Sequence, residues 1–460
     1  MINSPLWQQA EQLELSITDL SDDGGGVSRS HNRIVFVADT VPGDRIRARL
    51  IKIKPNYAVA KLEQILTPSQ WRIRPACIVA DKCGGCQWQH IDYEYQRQAK
   101  RNLVIQTLER IGGFKQPVVD SEVLKGYPLK YRNKVTYPVQ QSVTGQIKAG
   151  YYQQGSHRLI NLNQCPIQDP QFNPLLANIK QDIQRQGWSI YDEQQHTGTV
   201  RHLGLRVGRR TGEILLTLVV RNRQLPGIET QAEIWMQQYP QLVGICLNFN
   251  PDKTNAIFGQ QIECVRGQSF LQEQFAGLTF HLKPETFFQV NTEVAEALIN
   301  IILDELNLKG DENIIDAFCG IGTLTLPLAK QLQPSSGQVI GIETQSSAIQ
   351  QAEENADFNQ IKNVKFIVGK VQNILSKLEI QPDIVLLDPP RKGCDPVVID
   401  TLLKLKPQQI VYISCKPSTL ARDLKLLCQT DVYQLKRVQL ADFFPQTSHV
   451  EVAAFLVKKP

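Results

Sequence analysis

The sequence predicts a multidomain protein with an N-terminal β-barrel, an α+β central domain and a C-terminal α/β domain built on a parallel sheet. Short alternating strands fill the first 66 residues, mixed strands and turns follow, and from about residue 278 apolar strands alternate with helices. A length of 460 residues also fits roughly three domains. We expect these domains to span residues 1–66, 67–275 and 276–460.

Composition and charge exclude several classes of protein. Hydrophobic residues make up 42% and charged residues 21%, which excludes collagen-like and wholly disordered chains. Ten cysteines are too few for a disulfide scaffold, no apolar run approaches the ~18 residues of a membrane span, and Met1–Gln12 carries no visible secretory signal. We therefore expect a cytoplasmic protein without membrane contacts, whose net charge of +5 permits a polyanionic partner.

The N-terminal barrel is predicted from the spacing of strands and turns. Glycine and proline turns separate the strands, which we place at Leu13–Thr18, Arg33–Val37, Asp44–Lys54 and Tyr57–Leu66. Four or five strands within about 60 residues are typical of an OB-like (oligonucleotide-binding) barrel.

Three arginines alternate along one strand of this barrel. Arg45, Arg47 and Arg49 project from one face, and no acid follows Asp44 in the strand. We interpret this face either as a contact for nucleic-acid phosphates or as a charged edge strand that discourages aggregation.

Three short segments of the barrel carry a resemblance. Gly24–Arg29, Val35–Val37 and Val41–Asp44 are similar to segments of TRAM domains. TRAM domains are small RNA-binding barrels attached to several RNA-modifying enzymes. The resemblance therefore implies that the first 66 residues bind RNA.

The C-terminal region has the alternation of a doubly wound, Rossmann-like sheet, and acids end two of its strands. Asp316 precedes a glycine turn, and Glu343 ends the next strand, where a carboxylate can accept hydrogen bonds from a ribose. Thr325 stands where the nicotinamide fingerprint needs a third glycine. The two acids fit S-adenosylmethionine better than a dinucleotide, although two ordinary strand ends would look the same.

Two further strand ends carry candidate residues. Asp388 is followed by two prolines, which form either a stiff loop over the binding crevice or a tight structural turn. Cys415 ends the next strand and precedes Lys416 and a predicted helix at 420–427. A thiol beside a lysine and a helix N-terminus is expected to shift toward the nucleophilic thiolate, whereas most cysteines at strand ends are simply buried.

Five motifs occur in order along the chain. They are Phe288–Asn291, Asp316–Gly322, Asp388–Arg391, Ser414–Asp423 and His449–Glu451. Together they resemble the RNA (uracil-5-)-methyltransferase family, of the 23S ribosomal RNA uridine methyltransferase type with a TRAM domain and an iron–sulfur cluster.

This resemblance implies roles for six residues. It makes Cys415 the nucleophile and Glu451 the proton acceptor. It assigns S-adenosylmethionine contacts to Gln289, Phe318, Glu343 and Asp388. Two positions depart from the family: Lys416 stands where members commonly have Asn, and Thr323 stands where some have Asn, so Thr323 is not assigned to the cofactor.

The implied reaction explains why a thiol and a carboxylate are both needed. Carbon-5 of uracil is a poor nucleophile, and thiolate attack on carbon-6 converts the ring into an enolate whose carbon-5 takes the methyl group. The carbon-5 proton must then leave to a base before the thiolate is expelled. A uridine in a paired stem must be flipped out to reach such a site.

Cysteines in the central domain have the spacing of a metal site. Cys77, Cys83 and Cys86 lie within ten positions, and a closed site needs a fourth ligand, for which Cys165 is the best candidate. His90 would instead complete a zinc site. The resemblance implies a four-iron four-sulfur (4Fe-4S) cluster, which we expect to organise the central domain rather than to do redox work.

Basic residues of the central region are interpreted either as RNA contacts or as a solvated face. One set has Glu213 as the only acid among positions 201–223 of the sequence: Arg201, Arg206, Arg209, Arg210, Arg221 and Arg223. A second set interleaves cations with rings able to stack on bases: Lys125, Lys130, Arg132 and Lys134 with Tyr127, Tyr131 and Tyr137.

We favour an RNA-methylating enzyme over three alternatives. Radical S-adenosylmethionine enzymes have three and then two residues between their cysteines, whereas this chain has five and two. A non-catalytic RNA-binding protein is disfavoured because Asp388, Cys415 and Glu451 are all present, and a small-molecule methyltransferase would have little use for the barrel. We expect a monomer that acts on ribosomal RNA in preference to transfer RNA, with a helix near Tyr93–Arg110 packed on the catalytic domain.

Overall fold

A computed structural model describes residues 7–460, so the first six residues of the predicted barrel and half of the segment searched for a secretory signal lie outside it. The barrel strands are β1 (Gln12–Ser16), β2 (Asp19–Leu20), β3 (Gly26–Ser30), β4 (Arg33–Val37), β5 (Arg45–Ile53) and β6 (Tyr57–Thr67). They form one sheet in the order β1-β5-β6-β4-β3-β2, and alternate residues such as Leu15, Val35 and Ile46 fill its core.

The arginines of β5 are ion-paired. β5 lies between β1 and β6, so it is not an edge strand and that interpretation is wrong. Arg45 and Arg47 reach Glu14 on β1 at 3.1 and 3.2 Å, and Arg49 reaches Glu63 on β6 at 2.8 Å. Because each cation already faces a carboxylate, this stripe is a poor candidate for the phosphate-contacting face.

Two elements that follow the barrel pack against the C-terminal half of the chain. Helix α1 (Tyr93–Thr107) is capped by the Asp92 carboxylate and continues as a π-helical turn at Leu108–Gly112. Lys100 of α1 forms a fully buried ion pair of 2.6 Å with Asp442. Strand β7 (Val119–Leu124) adds an edge to the C-terminal sheet. Residues 93–124, which carry these two elements, therefore belong physically to the C-terminal unit.

The central region has a sheet of seven strands, in the spatial order β10-β9-β8-β11-β12-β13-β14, and two helices. The elements are β8 (Lys134–Gln141), β9 (Ile147–Tyr152), β10 (Leu159–Asn161), α2 (Phe172–Gln186), β11 (Val200–Val207), β12 (Ile214–Val220), α3 (Ile228–Gln238), β13 (Leu242–Phe249) and β14 (Gln261–Gly267). Leu175, Leu176, Ile179 and Ile183 of α2 are buried at helical spacing, which fixes the face that this helix turns to the sheet.

The arginines of this region form hydrogen bonds and ion pairs with other parts of the protein. Three donate to backbone carbonyl groups: Arg201, Arg206 and Arg221. Three are ion-paired with acids distant in sequence: Arg209, Arg210 and Arg223. In the second set, Tyr131 and Tyr137 are core residues, whereas Tyr127 is 80% exposed between exposed Lys125 and Lys130. The RNA-contact interpretation is therefore wrong for the first set.

The C-terminal unit is a doubly wound sheet preceded by a hairpin. Its elements are β15 (Leu271–Phe275), β16 (Leu278–Leu282), α4 (Thr292–Leu306), β17 (Asn313–Ala317), α5 (Thr325–Leu332), β18 (Gln338–Glu343), α6 (Ser346–Phe358), β19 (Val364–Val368), α7 (Val371–Ile374), a 3-10 turn at Leu375–Lys377, β20 (Ile384–Leu387), α8 (Pro396–Leu405), β21 (Gln409–Ser414), α9 (Pro417–Cys428), β22 (Tyr433–Ala441) and β23 (Glu451–Lys458).

The order of strands in this sheet positions the site. The order is β19-β18-β17-β20-β21-β23-β22-β7, with β17 to β21 parallel and β23 antiparallel to both of its neighbours. Since the parallel strands all end at one edge, the residues that follow them converge there. Within residues 7–460, none of the helices combines the length and apolarity that a membrane crossing needs.

Candidate active site

A cavity of about 810 Å³ opens at the carboxyl edge of the C-terminal sheet. Its lining brings together all six residues that the sequence singled out for catalysis and cofactor binding: Gln289, Phe318, Glu343, Asp388, Cys415 and Glu451. Thr323, which was left without a role, also lines it. The volume suits a drug-sized ligand together with part of a second molecule.

The turn after β17 has the strained backbone of a ligand-binding loop. Phe318 adopts φ +70°, a conformation that bulky residues rarely adopt, and its N–H donates to the Ile342 carbonyl at 2.9 Å. Gly320 and Gly322 follow with φ +55° and +84°. The turn therefore holds the Phe318 ring at the cavity wall while leaving the glycine backbone open to a ligand.

The two acids at strand ends have different surroundings. Asp316 does not line the cavity; it accepts a hydrogen bond of 2.6 Å from Thr325 Oγ1, and burial raises its pKa to about 7. Glu343 lines the cavity, and its Oε1 accepts from the backbone N–H groups of Thr344 and Gln345 at 2.6 and 3.0 Å. Oε2 has no partner among residues 7–460, which leaves one carboxylate oxygen available to a ribose hydroxyl.

The loop carrying Gln289 is held from the central sheet. Asn133 donates through Nδ2 to the Gln289 carbonyl at 2.8 Å and through its backbone N–H to the Val290 carbonyl at 3.0 Å. Lys134 donates to the carbonyl groups of Pro284 and Thr286 at 2.8 and 3.3 Å. The central domain therefore fixes one wall of the cavity.

The thiol of Cys415 and the carboxyl of Glu451 face each other. β21 and β23 pair antiparallel with Ser414 opposite Val452, so the next positions along the two strands are Cys415 and Glu451. Glu451 is only 4% exposed, while Cys415 is half-buried and reachable from the cavity. Sequence alone could not show this register, because it joins a strand end to a segment 36 positions away.

The charged groups around the Cys415 thiol differ from those that the sequence predicted. Burial, Glu451 and Asp388 raise the pKa of Cys415, and Arg391 acts in the opposite direction as a hydrogen-bonding cation. Lys416 does not serve as the activating cation, because its Nζ pairs with Asp22 of the barrel at 3.1 Å. The predicted shift toward thiolate is therefore wrong for the ligand-free protein, and Arg391 is the cation next to the thiol.

Two buried carboxyl groups of the cavity, Asp388 and Glu451, have raised pKa values. Burial and the charge of Asp316 raise the pKa of Asp388 to about 7. Burial and the charge of Asp388 raise the pKa of Glu451 well above its usual range, although Arg391 lowers it. Each of these buried carboxyls therefore keeps its proton to a higher pH than an exposed acid does.

The segment that leads into Glu451 is fastened by the N-terminal half. Gln96 of α1 and Gln446 exchange two hydrogen bonds of 3.0 Å each. The backbone N–H groups of Gln87 and Trp88 both donate to the Gln446 carbonyl at 3.0 Å. Together with the pair between Lys100 and Asp442, these bonds fix residues 442–450, whose Phe444 and His449 line the cavity.

Some lining residues were not given roles from the sequence. Arg391 belongs to a quoted motif, and its charge directly after the two prolines was the available signal. Lys370 follows β19, so it lies at the same sheet edge as the assigned acids. Phe287 is 73% exposed at the cavity, beside buried Phe288. Nothing in the spacing of these two rings predicted which would be exposed.

The four cysteines of the central region line a second cavity, of about 40 Å³. Cys77, Cys83, Cys86 and Cys165 contribute their side chains, and Arg132 also lines it. Burial and the neighbouring thiols raise the pKa of Cys86 to about 12 and that of Cys165 to about 11. These shifts place the sulfur atoms in one desolvated space.

A metal in this second cavity is not shown. Among residues 7–460, no set of three or more His, Cys, Asp or Glu side chains has the arrangement of a formed metal site. His90 does not line the cavity, and its ring nitrogen faces the Thr40 carbonyl at 3.5 Å. The alternative zinc site completed by His90 is therefore disfavoured.

Comparison with known proteins agrees with the fold and the site. The family model for tRNA (uracil-5-)-methyltransferase matches residues 92–459, and the TRAM domain model matches residues 7–62. An uncharacterized RNA methyltransferase of Nostoc sp. is 63% identical over 98% of this chain and 97% of its own length. Another, from Synechocystis sp., is 51% identical over 98% of this chain and 97% of its own.

A solved structure with the same architecture holds the cofactor product. The tRNA (uracil-54, C5)-methyltransferase of Pyrococcus abyssi, in complex with S-adenosyl-L-homocysteine, matches with a TM-score of 0.77 and 26% identity. The match covers 97% of this chain and 100% of that chain. It confirms a methyltransferase fold with the N-terminal TRAM domain, while the exact domain boundaries stay predictions.

Fold, site and comparisons together define an S-adenosylmethionine-dependent RNA methyltransferase. The chain belongs to the tRNA (uracil-5-)-methyltransferase family, since the family model covers more than half of it. The predicted enzyme class, the cofactor S-adenosylmethionine, the TRAM domain and an RNA substrate are confirmed.

Proposed function

We propose that this enzyme methylates carbon-5 of a uridine in ribosomal RNA through a covalent adduct between Cys415 and carbon-6 of the base. The observation that carries the proposal is the position of Cys415 directly across the strand ladder from Glu451, in one cavity with Asp388. A nucleophile and a base on adjacent strand ends are what a two-step addition and elimination needs.

The cofactor supplies the methyl group, and the residues of this chain do the rest. The Cys415 sulfur bonds to carbon-6, and the electron pair of the 5,6 double bond moves to form an enolate. Carbon-5 forms its new bond to the methyl group and then gives its proton to the Glu451 carboxylate. The double bond re-forms as the carbon–sulfur bond breaks, which restores the thiolate.

The base must lose a proton before it can act. Glu451 can accept the carbon-5 proton only when it is ionised, although burial and the charge of Asp388 raise its pKa. Asp388 keeps the cofactor contact that the family resemblance implies, at the sheet edge where cofactor and base would meet. Arg391, the cation beside Cys415, would stabilise the thiolate before attack.

Two groups of residues on the outer face of the barrel sheet differ in their suitability for RNA. Arg29 on β3 and Lys61 on β6 are exposed, and within residues 7–460 neither has an ion-pair partner. Phe36 and Tyr57 lie on the same outer face, with ring centroids 5.7 Å apart in an edge-to-face arrangement. Free cations beside half-exposed rings fit unpaired RNA better than the neutralised stripe of β5.

The salt dependence of RNA binding tests this choice of residues. Arg29→Ala combined with Lys61→Ala should weaken binding and reduce the slope of log K against log salt by up to about 1.4, since unpaired RNA gives about 0.7 per phosphate contact. Arg45→Ala is the matched control, since that guanidinium already pairs with Glu14. Equal slopes in all three proteins would refute a role for Arg29 and Lys61.

The four-cysteine cavity supports a 4Fe-4S cluster as the resident group of the central region. Four thiolates are the donor set that such clusters use, and Arg132 at the cavity wall would offset part of their negative charge. The cluster would join the segment before α1 to the strand-and-turn region around Cys165.

Ribosomal RNA is the proposed target, and transfer RNA is the second candidate. The combination of a TRAM domain with four cluster-type cysteines favours ribosomal RNA. The similar Pyrococcus abyssi enzyme is a tRNA (uracil-54, C5)-methyltransferase, which favours transfer RNA.

Mapping 5-methyluridine in total RNA from cells with and without the gene distinguishes the two targets. Loss of the modification from large-subunit ribosomal RNA, restored by the wild-type gene but not by Cys415→Ala, is the expected result. Loss from transfer RNA alone would replace the proposed target and leave the chemistry intact. Unchanged 5-methyluridine in both would refute the proposed function.

A further inference from the structure

A loop of the barrel, Ser21–Gly25, reaches the catalytic centre. Lys416 immediately follows Cys415, and Ser448 stands three residues before Glu451. The Lys416 ammonium pairs with the Asp22 carboxylate at 3.1 Å, and the Ser448 hydroxyl donates to the Asp22 carbonyl at 2.9 Å. One residue of the barrel thus bridges the two chain segments that carry the thiol and the base.

The loop itself is held firmly. The Ser21 hydroxyl and backbone N–H both donate to the Gly25 carbonyl at 2.8 Å. The Gly24 carbonyl accepts a hydrogen bond of 2.9 Å from the Trp88 indole. Gly24 has φ +93°, and a Cβ there would stand 3.1 Å from Trp88 Nε1, so this close approach requires glycine. These hydrogen bonds therefore fix the position of Asp22 within the loop.

We infer that Asp22 is a positioning residue of the active site, which holds the Cys415 and Glu451 segments at their working separation through Lys416 and Ser448. This inference rests on the proposed function of Cys415 and Glu451 and adds a role for the barrel beyond binding RNA. It also accounts for Lys416, the residue that departs from the Asn common in the family. Lys416 supplies the cation that a carboxylate on the barrel loop can hold.

The matched variants Asp22→Asn and Asp23→Asn test the inference. Each removes one negative charge from the same loop, but Asp23 contacts only Ser21 and Gly25 within the loop. The measurements are the single-turnover rate of methyl transfer at saturating RNA and the dissociation constant for RNA. Thermal melting of each variant confirms that it is folded.

Asp22→Asn should slow the single-turnover rate about two- to fivefold, the range that exposed ion pairs give, while Asp23→Asn keeps the wild-type rate. Both variants should change the RNA dissociation constant equally, because both remove one charge. Lys416→Asn should slow the rate as Asp22→Asn does, and the double variant should be no slower than either single variant. Exchanging the charges, with Asp22→Lys and Lys416→Asp together, should recover part of the loss.

The inference would be overturned by equal rates for Asp22→Asn and Asp23→Asn, or by additive losses in the double variant. The proposed function would still stand in that case if the wild-type protein methylates uridine. Wild-type protein that fails to methylate uridine at carbon-5 would refute the proposed function and remove the inference with it.

Discussion

Two cavities of this protein are lined by cysteine, and they differ in volume and in the groups around their thiols. The active-site cavity is about 810 Å³ and contains Cys415 with two carboxyls and Arg391. The second is about 40 Å³ and contains four cysteines with Arg132. The first admits organic molecules, and the second has room for only a few atoms.

The difference shows that neighbours and space, not the residue type, decide what a thiol does. Beside a carboxyl across a strand ladder, a thiol has a base at hand for a substrate proton. Beside three other thiols in a closed space, it has the donor set for a metal group. Four changes test this contrast.

The largest effect is expected from Cys415→Ala. Without this thiol nothing can attack carbon-6, so methyl transfer should be abolished and no covalent RNA complex should form on a denaturing gel. Cys428→Ala, at the far end of α9, is the control and should retain activity. A cross-link that persists in Cys415→Ala would identify a different attacking cysteine, and Cys319, buried at the same cavity, would be the first to test.

Glu451→Gln should separate the two halves of the reaction. Glutamine keeps the shape but cannot take the carbon-5 proton, so addition and methyl transfer can occur once and elimination should then stall. Turnover should fall on the order of 10²- to 10⁴-fold, and a protein–RNA adduct should accumulate. The double variant with Cys415→Ala should form no adduct. Normal turnover in Glu451→Gln would assign the base to another group.

In the small cavity, Cys83→Ser should remove the metal group. Anaerobically purified wild-type protein is expected to be brown and to carry about four iron atoms per chain, and the variant should lose the iron and melt several degrees lower. Cys264→Ser, on β14 and outside the cavity, is the matched control. Stoichiometric zinc without iron in the wild-type protein would refute the cluster.

The smallest effect concerns stability at the large cavity. The pKa of Asp388 is about 7 in the folded protein, against about 3.9 in an unfolded chain, so the folded state binds the proton more tightly. Stability of the ligand-free enzyme should therefore fall as pH rises from about 4 through 7. Asp388→Asn lacks the titrating carboxyl and so does not lose this stability. The difference in melting temperature, variant minus wild type, should therefore increase by a few degrees between pH 5 and pH 8. A pH-independent difference would contradict the shift.

Local patterns predicted much of the fold. The strand Arg33–Val37 has the predicted bounds, and the other three predicted barrel strands agree with the structure to within one or two residues, because apolar alternation is a local signal. Phe318, Glu343, Asp388 and Cys415 line one cavity because the parallel strands that they end or follow stop at one edge. Gln289 and Glu451 line it too, but only the family resemblance predicted them there.

The errors involve contacts between residues that are distant in sequence. Arg45 was interpreted as a phosphate contact or as part of an edge strand, yet its strand lies between two others and Glu14 on a neighbouring strand pairs with it. Lys416 was expected to activate the thiol, yet its partner Asp22 is 394 positions away. An ammonium or guanidinium group shows its charge in the sequence, but only the folded chain shows what neutralises it.

The hydrogen bonds between Gln96 and Gln446 join positions 350 residues apart. Closing such a loop costs chain entropy before the contact returns any energy, so contacts of this kind raise the contact order and slow folding. The wall of the active site that ends at Glu451 is therefore expected to form late, after the sheets on either side are in place. Refolding enzyme should regain its secondary structure before it regains the ability to methylate RNA.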